Sequence, residues 1–89
     1  MKVCFLSGLK DAAGHQDLEI SYQGPLSGLL ETLCERYGPA LRARILDPQA
    51  PTGRNAFVKI LVDGRDVQEE DPTLEGKETV FLFLPIAGG

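Results

Sequence analysis

Hydrophobic and polar positions along this chain alternate with a strand-like period of two, shift once to a helical period, and then return. Val3–Cys4–Phe5–Leu6 reads as a first strand, with Val3 and Phe5 on one face. After a turn region from Ser7 to Asp17, Leu18, Ile20 and Tyr22 alternate with Glu19 and Ser21. That is a half-buried second strand, paired with the first as a hairpin. Gly24–Pro25 signals a helix start, with Pro25 suited to the first helical position. Leu26, Leu29, Leu30, Leu33 and Tyr37 then recur at helical spacing as one apolar stripe, and Glu31, Glu35 and Arg36 fall off it. Gly38–Pro39 ends the helix, because glycine takes a left-handed conformation readily and proline cannot continue the hydrogen-bond ladder.

Ala40 to Leu46 is a second amphipathic stretch, with Leu41, Ile45 and Leu46 set against Arg42 and Arg44; it suits a short helix. Proline, glycine and polar residues make Asp47–Asn55 a loop. Val58, Ile60 and Val62 form the inward face of a third strand, and Asp63–Gly64 is a hairpin turn of the kind that needs positive φ. Arg65–Asp66–Val67 follows as a short strand, Gln68 to Lys77 as a polar loop, and Thr79–Leu84 as the last strand. One main helix must cover one face of this sheet. If the first and last strands are central they run parallel, and the expected fold is α+β: a ubiquitin-like β-grasp with a mixed sheet of four to five strands. The expected organisation is a β-grasp domain over residues 1–84 and a flexible tail over residues 85–89, ending in Gly88–Gly89.

On the last strand, Val80, Leu82 and Leu84 point to the helix, so Phe81 and Phe83 point away from it. A loop over them, or a strand that is simply apolar throughout, accounts for two such phenylalanines. The reading preferred is a docking patch, because exposed aromatic clusters mark interaction sites and the tail follows directly. Pro85 lacks a donor and so ends the strand, while Gly88 and Gly89 have no Cβ to keep a partner's backbone away. Taken alone, a terminal Gly-Gly also fits a frayed end.

Composition narrows the function. An 89-residue chain with 43% apolar residues is one globular domain with a modest core. Its net charge of −4 argues against a general binder of nucleic acid or of anionic membranes. No apolar run has the length of a membrane span, and Met1–Leu6 is too short for a signal peptide, so a cytoplasmic location is expected. Cys4 and Cys34 lack CxxC or zinc-type spacing and read as packed free thiols; His15 reads as a solvated loop residue. No metal-ligand cluster, P-loop or GxSxG pattern occurs, so no metal is expected.

These pieces, in order, resemble the MoaD/ThiS family of ubiquitin-like sulfur carrier proteins, the small-subunit type of molybdopterin synthase. The resemblance covers almost the whole chain: Lys2–Lys10 with Ala13–Gly14, Leu29–Tyr37, Val62–Val67, and above all Phe83–Leu84–Pro85–Ile86–Ala87–Gly88–Gly89. Two features depart from the family pattern. A single Pro85 stands where many members have two prolines, and Glu75–Gly76–Lys77–Glu78 replaces the usual Asp-Gly-Asp-Glu turn. The resemblance implies that the Gly89 carboxylate is adenylated and becomes a thiocarboxylate, that Gly88 lets the tail enter an active site, and that Phe81, Phe83, Pro85, Ile86 and Ala87 help it dock. It implies no cofactor bound by this chain, with ATP used by the activating enzyme. The implied partners are a ubiquitin-activating-type adenylyltransferase (MoeB/ThiF-like) and either a larger molybdopterin synthase subunit (MoaE-like) or a thiazole synthase. Thiamine thiazole, cysteine and tRNA thiolation are alternative destinations for the sulfur. A protein modifier joined through Gly89, and an interaction domain with an inert tail, are the competing readings.

Overall fold

Two strands far apart in sequence, β1 (Lys2–Phe5) and β7 (Thr79–Phe83), lie parallel at the centre of a five-stranded mixed sheet. This is a computed structural model, and it describes residues 1–84. The expected tail, Pro85–Gly89, lies outside the described residues. On one side of the central pair β2 (Asp17–Glu19) runs antiparallel to β1; on the other, β4 (Lys59–Val62) runs antiparallel to β7 and carries β5 (Arg65–Asp66) at the edge. The strand order is therefore β2-β1-β7-β4-β5.

The alternation read from the sequence sets the two faces of the sheet. Val3 stands beside Val80 and Phe5 beside Leu82, and all four are fully buried. Above them lies α2 (Leu26–Tyr37), whose Leu26, Leu29, Leu30 and Leu33 are likewise without exposed surface. Burying side chains of this size contributes about 1.5–3 kcal/mol each, which is what fixes helix to sheet. A second helix, α3 (Pro39–Ile45), packs on α2 and adds Leu41 and Ile45 to the core. Gly38, at φ 93°, joins the two helices: its N–H donates to Cys34 O, and its own carbonyl accepts from Arg42 N–H. The Asp63–Gly64 turn has positive φ at both residues, 52° and 83°, as the hairpin requires.

Three local differences from the sequence reading have physical causes. The Ser7–Asp17 turn contains a single helical turn, α1 (Lys10–Ala13), because Leu9 and Ala13, four residues apart, both dock on the core. The second strand leaves the ladder after Glu19; Ile20 and Tyr22 still pack against the core, but the chain is already turning towards α2. Pro25 sits one position ahead of the helix with ψ 150°. There Gly24–Pro25, strand β3, pairs with β6 (Thr73–Leu74) from the stretch read as polar loop.

That small second sheet brings a cap to α2 from far along the chain. Pro25 has no side chain with which to cap the first turn. Instead Asp71 accepts from Ser27 N–H at 2.9 Å and from Ser27 Oγ–H at 2.8 Å, and Pro72 O accepts from Leu26 N–H. The Ser27 backbone and hydroxyl donors, helped by Arg54, outweigh desolvation and hold the Asp71 carboxyl below its ordinary value. Glu78 does similar work at the turn before β7. Partial burial pushes its carboxyl up, but backbone N–H groups, including those of Glu75, Gly76 and Lys77, outweigh this and hold it down.

Because the folded-state pKa of Asp71 is depressed, its contribution is present above the unfolded-state pKa and is lost as pH falls through the folded value. Asp71→Ala is expected to cost about 1 kcal/mol in urea unfolding at neutral pH, and the gap between variant and wild type should close below about pH 4. An undiminished gap at low pH would show that the carboxylate charge is not what caps the helix.

Candidate functional site

The sheet delivers the chain to one place, the end of β7, and several elements hold it there. Leu6 N–H donates to Leu82 O at 2.9 Å, and Leu84 N–H donates to Ser7 O at 2.8 Å, so the parallel pairing with β1 runs on past Phe83. Leu84 itself packs against the core from a partly buried position. Gly8, at φ 81°, lies beneath it, and a Cβ at Gly8 would stand 3.0 Å from Leu84 Cβ. The Gly8 carbonyl accepts from an Arg44 guanidinium N–H at 2.9 Å, which ties this loop to α3. Only glycine meets both demands here, the left-handed backbone and the close approach.

Phe81 and Phe83 project from the face of the sheet opposite α2, as the alternation predicts, and both are half-buried. Phe81 stands between Cys4 on β1 and Leu61 on β4, and Phe83 stands beside Lys59. The Cys4–Phe81–Leu61 row ends in Asp17 on one edge and Asp66 on the other. These carboxylates pair with Lys2 at 3.8 Å and Lys59 at 3.5 Å. Exposed pairs of this kind contribute at most about 1 kcal/mol, so they border the apolar row without locking it. Of the expected site residues, the structure thus places Phe81 and Phe83 on one face at the strand exit. Pro85, Ile86, Ala87, Gly88 and Gly89 lie outside the described residues.

The other reactive side chains serve the scaffold. Burial pushes the Cys4 thiol up, and the neighbouring Asp17 pushes it further, so it is a poor nucleophile. Burial does the same to Cys34, which lies in the core. His15 is more than a solvated loop residue. Its Nδ1–H donates to Asp17 O at 2.6 Å, its Nε2 takes the Tyr37 hydroxyl at 2.5 Å, and Phe5 meets both rings edge-on. It joins the loop after α1 to the end of α2.

Among the described residues no group of three or more His, Cys, Asp or Glu is placed to hold a metal, and no helix is long and apolar enough to cross a membrane. A cleft of about 420 Å³ between α2, α3 and the following loop is walled mainly by apolar groups such as Leu30, Leu46 and Pro48. Its Glu31 and Arg42 are paired with each other at 3.0 Å. The sequence reading did not single out Gly8, Arg44 or Leu61. Gly8 was visible only as part of a Ser-Gly turn, and the reach of Arg44 spans 36 residues.

No protein-family model matches the chain, and no curated protein matches it by sequence. Solved structures do match it by shape. Small archaeal modifier protein 1 from Methanosarcina acetivorans superimposes with a TM-score of 0.81 at 23% identity, over 99% of this chain and 94% of that one. The protein of the same name from Haloferax volcanii gives 0.77 at 20% identity, over 100% and 98% of the two chains. A candidate molybdopterin converting factor subunit 1 from Pyrococcus furiosus gives 0.68 at 21% identity, over 96% and 95%. The fold is the ubiquitin-like β-grasp. The β-grasp expected from the sequence is therefore matched by these structures along nearly the full length of each chain compared.

Replacing Gly8 tests how the strand exit is held. Gly8→Ala should lower unfolding free energy by about 1–3 kcal/mol, the cost of forcing a side chain into this backbone conformation against Leu84. It should also shift the Leu84 amide resonance. Wild-type stability with an unmoved Leu84 amide would contradict the packing described.

Proposed function

We propose that this chain is a cytoplasmic sulfur carrier: residues 1–84 are the holder, and residues 85–89 are a working tail whose Gly89 carries the sulfur. The observation that supports this most is the placement of β7. It is the central strand, it is pinned at Leu84, and it leads straight into the Pro85–Ile86–Ala87–Gly88–Gly89 sequence. The shape neighbours include proteins named as a modifier and as a molybdopterin converting factor subunit.

The chemistry follows from what a carboxylate lacks. At neutral pH the Gly89 carboxylate is ionised and a poor electrophile. A ubiquitin-activating-type enzyme joins it to AMP, releasing pyrophosphate from ATP. A persulfide sulfur then displaces AMP, and a thiol cleaves the sulfur–sulfur bond to leave the thiocarboxylate. The carrier binds no cofactor in this scheme; ATP belongs to the activating enzyme. Gly88 lets the tail thread a narrow channel, and Phe81, Phe83, Pro85, Ile86 and Ala87 line the surface that docks. Molybdopterin synthesis is the proposed destination, through a larger MoaE-like synthase subunit, because the ending Phe83–Gly89 resembles the molybdopterin type. A thiazole synthase would take that subunit's place if the sulfur goes to thiamine.

A second reading, conjugation of Gly89 to target lysines, is favoured by the two neighbours named as small archaeal modifier proteins. The two readings share the adenylation step and part afterwards. The modifier predicts protein conjugates of the carrier on a blot; the carrier predicts sulfur transfer with none.

Intact mass spectrometry after incubation with an activating enzyme, ATP and a sulfur donor tests the proposal. The expected gain is one oxygen exchanged for sulfur. Gly88→Val should remove most of that gain while leaving the unfolding curve unchanged. A full yield from Gly88→Val would overturn the threading role.

A further inference from the structure

Phe57 is the large apolar side chain that stands open to solvent among the described residues, 62% exposed. Its place is built rather than incidental. Asn55 Oδ1 accepts from Phe57 N–H at 2.8 Å, and Asn55 O accepts from Val58 N–H. Asn55 N–H in turn donates to Ile45 O, so the turn that displays Phe57 is anchored to the end of α3. An apolar ring held outward on a fixed turn has given up its burial in the free protein, and it regains that burial only against a partner.

The sheet register says where that partner must sit. Two residues after Phe57, Lys59 pairs with Phe83 in the ladder between β4 and β7. Phe57 therefore stands at the end of the sheet where β7 releases the chain, at most about 16 Å from Leu84 by the backbone steps that join them. An interface of ordinary size covers about 800 Å² on each partner, a disc of about 16 Å radius. Five further residues reach at most about 17 Å. An enzyme that works on the Gly89 carboxyl must bring its surface within that reach, and a footprint of this size centred on the strand exit takes in Phe57 together with half-buried Phe83.

We infer that Phe57 is an anchor for the adenylating enzyme, seated in an apolar pocket beside the channel that receives the tail. The inference rests on the sulfur-carrier reading and adds to it a docking residue outside the sheet and tail. Phe57 touches no reacting atom, so it acts on encounter and binding and leaves the chemical step alone.

The test is the rate of thiocarboxylate formation, read by intact mass, as a function of carrier concentration with purified activating enzyme, ATP and a sulfur donor. Phe57→Ser should raise the half-saturating concentration about tenfold or more, leave the saturated rate unchanged and leave the melting temperature unchanged. Phe57→Leu, which keeps an apolar group on the turn, should recover most of the loss. If wild type and Phe57→Ser form thiocarboxylate with the same half-saturating concentration, the anchor is overturned while the carrier reading stands. This includes the case in which Phe57 serves only a later acceptor or self-association. If wild type forms none with active enzyme, the carrier reading fails and the anchor with it.

Discussion

Val3 beside Val80 and Phe5 beside Leu82, on neighbouring parallel strands, bring the two ends of the described chain together under α2. Parallel strands cannot be joined by a tight turn, so everything between β1 and β7 is in effect one long crossover. The loop-closure entropy of that crossover is met by the buried leucine face of α2. Once β1 and β7 are central, β2 and β4 fall on either side, and the end of β7 becomes a fixed point on the surface. The position of the strand exit thus follows from core packing among the described residues.

Polar groups then close what the hydrophobic core leaves open. The first turn of α2 has donors but no local cap, and Asp71 reaches back to satisfy them across 44 residues. Glu78 gathers three consecutive backbone N–H groups at the approach to β7, which fixes the entry of that strand as firmly as Gly8 and Ser7 fix its exit. This gives a physical reason for the Glu75–Gly76–Lys77–Glu78 turn. What the turn needs is an acceptor at its fourth position, and Glu78 supplies it whatever precedes it.

Much of this was legible before any coordinates. Alternation at Val3, Phe5, Val80 and Leu82, and the leucine stripe from Leu26 to Leu33, dictated the two layers and the inward faces, and Asp63–Gly64 marked its hairpin. The features that were not legible share one cause. Each depends on a contact between residues distant in sequence, within a segment too short to show a period. Gly24–Pro25 pairing with Thr73–Leu74 is two residues on each side, and α1 is a single turn that exists because Leu9 and Ala13 dock. At the candidate site, Phe81 and Phe83 could be assigned a face from alternation alone. Gly8 and Arg44 could not, because their roles arise only when the loops close around the end of β7.

The proposed carrier, a folded holder with a tail that another enzyme adenylates, makes one demand that is independent of where the sulfur finally goes. The activating enzyme should catalyse carrier-dependent exchange between labelled pyrophosphate and ATP, since forming the acyl adenylate at Gly89 is reversible. Exchange that rises and saturates with carrier, and vanishes when Gly89 is removed, is the expected result. Exchange that is indifferent to the carrier, or persists at full rate without Gly89, would contradict adenylation of this tail.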